Sequence, residues 1–141
     1  GFPGETEQDF AELVGLVSAA EFDNLGVFAY SDEEGTAAHS LPDPVPARVK
    51  EARRRRLMSL QQRIATRRNR GRIGERHEVL VEGAHPDSDL LLCGRLAGQA
   101  PEIDGRVIIN DGSSAPGSFV TCRITEAHAY DLVGRIEATK T

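Results

Sequence analysis

Few side chains in this sequence are of a type and spacing that do chemistry by themselves. Cys93 and Cys122 sit in separate apolar stretches, too few for a disulfide framework and without metal-ligand spacing. They read as small core residues, and a reducing compartment, the cytoplasm, is expected for such sparse cysteine. His39, His77, His85 and His128 are scattered, none lying four residues from another His or a Cys, and no Ser–His–Asp arrangement follows from spacing. The glycine-rich opening, GFPGE, precedes a helical pattern and raises the question of a phosphate cradle. Its spacing fits neither GxGxxG nor GxxxxGK[ST], and no Lys or Arg is near in sequence. Two readings remain: a tight strand-to-helix turn, or backbone at a strand end that a flat adenine ring approaches closely beside a glycine.

The remaining candidate is charge. Residues 1–45 carry ten acids and no Lys or Arg; residues 46–70 carry ten bases against Glu51; residues 71–141 carry seven bases and eleven acids. The blocks are therefore −10, +9 and −4, three structural units of alternating sign. The basic block could neutralise nucleic-acid phosphates, but no aromatics are interleaved to stack on bases. Mutual neutralisation of the first two blocks is the preferred expectation. The last block is net acidic, which disfavours RNA and favours a basic protein partner, unless Arg95, Arg106 and Arg123 form a local basic patch.

The elements that would position these groups follow from periodicity. Thr6 with Asp9 three residues on is a capping-box pattern, and Phe10, Leu13, Val14 and Val17 mark one helical face ending near Ala20. LGVFAY (25–30) then reads as a short buried strand. Strand end, helix and strand make a βαβ unit, which needs further parallel strands to bury its faces. Residues 1–30 do not supply them, so the opening is expected to be a piece of a larger sheet, with Phe10, Leu13, Val14 and Val17 left exposed. After a proline-rich extended stretch, LPDPVP, a long basic helix runs from Pro46 to about Arg70, with Val49, Leu57, Leu60 and Ile64 as its apolar stripe and Gly71 as a left-handed cap. Beyond Gly74 the period becomes that of strands. Segments 77–82, 90–96, 106–110, 118–127 and 130–137 predict a small, closed or nearly closed antiparallel five-stranded barrel. About 65 residues fold alone only marginally, so the barrel is expected to lean on the basic helix. No apolar run approaches the ~20 residues that span a bilayer, and no membrane partner is expected.

Taken in order, GFPGETEQDF, FDNLGVFAYSDEEGTAAHSLPDPVP, VKEARRRRLMSLQQRIA, VLVEG, GRLAGQAPEIDG and YDLVGRI resemble the methylthiotransferase family of radical S-adenosylmethionine enzymes over essentially the whole chain. VFAYSDEEGT and YDLVGRI look most like the branch that modifies an aspartate of a small-subunit ribosomal protein. The sister branch, which modifies an adenosine in transfer RNA, is the alternative, and a non-catalytic RNA-binding module is a second. The resemblance implies an α+β chain: 1–45 as the end of a radical-SAM α/β barrel, 46–72 as a linking helix, and 73–139 as a substrate-recognising TRAM domain. It implies S-adenosyl-L-methionine and two four-iron four-sulfur clusters in a full-length parent, whose N-terminal domains would be partners of this segment. Gly1, Phe2, Pro3, Gly4 and Glu5, with Phe28, Ala29, Tyr30 and Ser31, would lie near the cofactor adenine. The family's CxxxCxxC motif does not occur here, and Cys93 and Cys122 do not match cluster ligands. The segment alone is thus expected to hold no cluster or catalytic residue and to be inactive.

Overall fold

The structure, a computed structural model, describes residues 1–139. It divides into two compact units, Gly1–Ile64 and the residues from Ala65 onward. Helix α1 (Glu7–Ala20) opens with the anticipated capping box: the Thr6 hydroxyl accepts from the Asp9 amide, and the Asp9 carboxylate accepts from the Thr6 amide. The long basic helix is α2 (Ala47–Gly71), entered through Pro46, whose carbonyl accepts from the Val49 and Lys50 amides.

Within the first unit, Phe10 and Val17 of α1 and Leu57 and Ile64 of α2 form one buried cluster, with Val14, Leu25, Val27 and Leu60 packed against it. This corrects the expectation that Phe10, Val14 and Val17 would be exposed. The apolar stripe of α2 covers them, each fully buried side chain contributing roughly 1.5–3 kcal/mol. Leu13 stays exposed, joined by Leu16, Phe22 and Phe28. The strand expected at 25–30 does not form either: these residues lie outside any sheet. A strand needs a ladder of backbone partners, and among the described residues none runs beside this segment. Residues Ala37–Ser40 make one 3₁₀ turn.

Gly71 is not the left-handed cap of α2. The helix includes it and unwinds through i to i+3 turns, Arg72 amide to Asn69 carbonyl and Ile73 amide to Arg70 carbonyl, and the positive φ (87°) falls at Gly74. From there the five predicted strands appear: β1 (Arg76–His85), β2 (Ser88–Arg95), β3 (Val107–Asp111), β4 (Phe119–Ala127) and β5 (Leu132–Thr139). They close a barrel in the order β1-β2-β3-β5-β4. Four of its neighbouring pairs are antiparallel, whereas β3 and β5 run parallel, Val107 opposite Leu132 and Ile108 opposite Val133. The all-antiparallel expectation is corrected at that pair. Period-2 alternation points Val79, Val81, Val107, Ile109, Val120, Cys122, Ile124 and Leu132 inward to a core that Leu96 completes.

Candidate functional site

The two segments singled out by sequence, 1–5 and 28–31, do meet in part. Residues 1–5 make a tight turn in which the Glu5 amide donates to the Phe2 carbonyl (3.0 Å) and the Gly4 amide to the Asp43 carbonyl (2.9 Å). The rings of Phe2 and Tyr30 touch edge to face, 5.3 Å between centroids. Gly1, Pro3 and Tyr30 share a cavity of about 140 Å³ with Asp32, His39 and Lys50. Glu5 turns away to Arg53. Ser31 donates to Glu33 at the surface (2.9 Å), and Phe28 is 92% exposed, with Ala29 exposed beside it. The neighbour of Phe28, Val27, packs instead against the cluster with α1.

Lys50 organises this corner and was not found by sequence reasoning. Its ammonium donates to the Tyr30 carbonyl (3.1 Å) and lies 5.0 Å from the Tyr30 ring centroid. Its methylene stem runs against Gly1, where an added Cβ would fall 2.4 Å from Lys50 Cγ. That close approach is what glycine at position 1 permits. Asp32 and His39 face each other across 3.0 Å at the same cavity. The Tyr30 hydroxyl is shifted upward, by desolvation first and then by the charge of Asp32.

Mutual neutralisation of the charge blocks is seen at Arg53. Arg53, on the buried face of α2, bonds Glu5 Oε1 and Glu7 Oε1, both at 2.6 Å. Hydrogen bonding to Glu7 is the main cause that holds its guanidinium above the usual arginine range. Arg54 and Arg55 pair instead with Glu51 of their own helix.

On the barrel, Arg95, Arg106 and Arg123 each engage a partner of their own. Arg95 pairs with Glu82 (2.9 Å), the Arg106 amide donates to Asp131 (3.0 Å), and Arg123 joins Arg76 on Glu137. Glu137 bridges strands that would otherwise set Arg76 directly opposite Arg123. Hydrogen bonds from Arg123, then Arg76, hold its carboxyl down to about 2. Burial pushes the Cys122 thiol up to about 11, leaving it without nucleophilic character at neutral pH. Among the described residues no three His, Cys, Asp or Glu side chains are grouped to hold a metal, and no helix is long and apolar enough to cross a membrane.

The closed five-stranded barrel coincides with residues 73–136, which match the TRAM domain family. The barrel is a TRAM domain. The chain carrying it is 55% identical, over 96% of its length, to the ribosomal protein uS12 methylthiotransferase RimO of Myxococcus xanthus. It is 53% identical over 94% to the RimO of Syntrophobacter fumaroxidans, and 50% identical over 96% to that of Trichlorobacter lovleyi. The resemblance to the ribosomal-protein branch of the methylthiotransferases, read from VFAYSDEEGT and YDLVGRI, is thereby borne out. The chain spans under a third of the length of these relatives: 29%, 30% and 30%.

Proposed function

We propose that this chain is the C-terminal part of a cytoplasmic radical S-adenosylmethionine methylthiotransferase that places a methylthio group on the β-carbon of an aspartate in ribosomal protein uS12, with the TRAM barrel recognising that protein. The observation that carries the reading is the 55% identity over 96% of the chain to a protein named for that activity. In this reading 1–45 is the end of the radical-SAM core, 46–72 the linking helix and 73–139 the recognition domain. The net −4 of residues 71–141 suits a basic ribosomal protein better than transfer RNA.

S-adenosylmethionine would supply the abstracting radical on reduction by an iron–sulfur cluster. The residues present do not fit a cluster: Cys93 and Cys122 are both buried within the barrel, and among the described residues no three His, Cys, Asp or Glu side chains are grouped. This chain alone is proposed to be inactive. Its contribution to cofactor binding would be one edge of a site, from the turn at residues 1–5 and the exposed segment 28–31. The cavity of about 140 Å³ at Gly1, Pro3 and Tyr30 is smaller than the ~300 Å³ at which ligand pockets begin.

The test is the intact mass of uS12 from cells with and without the gene encoding this chain. The proposal expects the methylthio increment only where the gene is present. An identical mass in both strains overturns it, and loss of methylthioadenosine from transfer-RNA hydrolysates would move the assignment to the sister branch.

A further inference from the structure

A second concavity of about 400 Å³, unrelated to the residues proposed for the cofactor, opens between the first turn of α1 and the first turns of α2. Phe10, Val49 and Ala52 supply apolar lining, and Arg48, Arg53 and Arg56 surround it, with Glu7 as the one carboxylate of the lining. The lining is therefore +2. Arg48, Ala52 and Arg56 recur every four residues, so they stand in a row on one exposed face of α2. Among the described residues neither Arg48 nor Arg56 forms an ion pair; the Arg56 guanidinium rests 5.7 Å from the Phe10 ring centroid. Arg53 beside them is 8% exposed, and its Nε is buried without a hydrogen-bond partner. Held by Glu5 and Glu7, Arg53 forms a buried cationic floor between two exposed arginines, Arg48 and Arg56.

We propose that this groove binds a phosphate monoester whose phosphate is held by Arg48 and Arg56 and whose ring or apolar body lies on Val49 and Ala52. Guanidinium forks match phosphate oxygens two at a time. A dianionic phosphate balances the +2 of the lining, which a single carboxylate would only halve. A volume of about 400 Å³ lies within the ~300–1,000 Å³ of small-ligand sites, so the ligand class is nucleotide-sized. This does not depend on the methylthiotransferase reading, and either can fail alone.

The experiment titrates AMP, adenosine and inorganic phosphate into the 141-residue chain at low salt, following backbone amide shifts of residues 48–56 and affinity by calorimetry. AMP is expected to bind, adenosine not, and phosphate more weakly than AMP. Arg48→Ala and Arg56→Ala should each weaken AMP about tenfold, the loss of one charge-assisted contact. Glu7→Gln should tighten it by removing the repelling carboxylate. Arg55→Ala makes the same charge change outside the groove, on a residue paired with Glu51, and should leave AMP affinity within about twofold. All three arginine variants are at exposed positions, so folding should persist and is checked by amide dispersion. Absence of AMP binding, equal affinity for adenosine, or an Arg55→Ala loss as large as that of Arg48→Ala overturns the proposal.

Discussion

Asn69 gives the sharpest test of how the end of α2 is tied to the TRAM barrel. Its side chain is 92% buried, at 8% exposure. Its Nδ2 donates to the carbonyls of His128 (3.1 Å) and Ala129 (3.3 Å) in the β4–β5 connection, and its Oδ1 accepts from Arg72 (3.2 Å). Asn69→Ala removes both donors and leaves the two carbonyls short of partners. At roughly 1 kcal/mol for each of the two bonds to those carbonyls, the cost is at least about 2 kcal/mol. That amounts to about a 30-fold rise in the open population. The assay is native-state amide hydrogen exchange at the ladder amides of β4 and β5, which reports opening of the barrel itself. Asn69→Asp should be at least as damaging, because a carboxylate brings a negative charge against two carbonyl oxygens and donates nothing. Protection that changes by less than about threefold in Asn69→Ala, or an Asp variant milder than the Ala variant, would refute the reasoning, since ~2 kcal/mol is the net worth of two such bonds.

Further outcomes follow from the same geometry. In Gly94→Ala the new Cβ would sit 2.6 Å from the Leu80 carbonyl oxygen and 2.5 Å from Val79 Cγ1; overpacking of this kind costs about 1–3 kcal/mol, read as a lowered melting temperature. Glu137 is lowered from 4.5 to about 2. Its contribution is therefore complete above pH ~4.5 and lost as pH falls through ~2, so acid unfolding of the wild type should steepen across that window and Glu137→Gln should flatten it. Cys122, at about 11 and fully buried, should resist alkylation at pH ~8 in the native chain and react once the barrel is unfolded; native labelling at the unfolded rate would contradict its placement.

Much of this molecule is local, and what is local was legible in the residues. The Thr6–Asp9 box, the stripe on α2 and the five β-branched segments each state their own secondary structure, because capping and side-chain period act within a few residues. The inward positions of the barrel strands followed from the same alternation, and the two buried cysteines with them. The motif series marked the TRAM domain and the likeness to the methylthiotransferases as well. Partners distant in sequence were settled by tertiary structure alone. Nothing near β3 or β5 announces that they pair in parallel. Arg53 is one of ten bases between residues 46 and 70, yet it alone is buried on both Glu5 and Glu7, because its turn of α2 faces the start of α1. Segment 25–30 has the composition of a strand and is not one, since a strand is completed by the backbone beside it. Lys50 reaches Tyr30, and Asn69 the β4–β5 connection, for the same reason: sequence sets what each side chain can bond, while the folded chain sets which group arrives within reach.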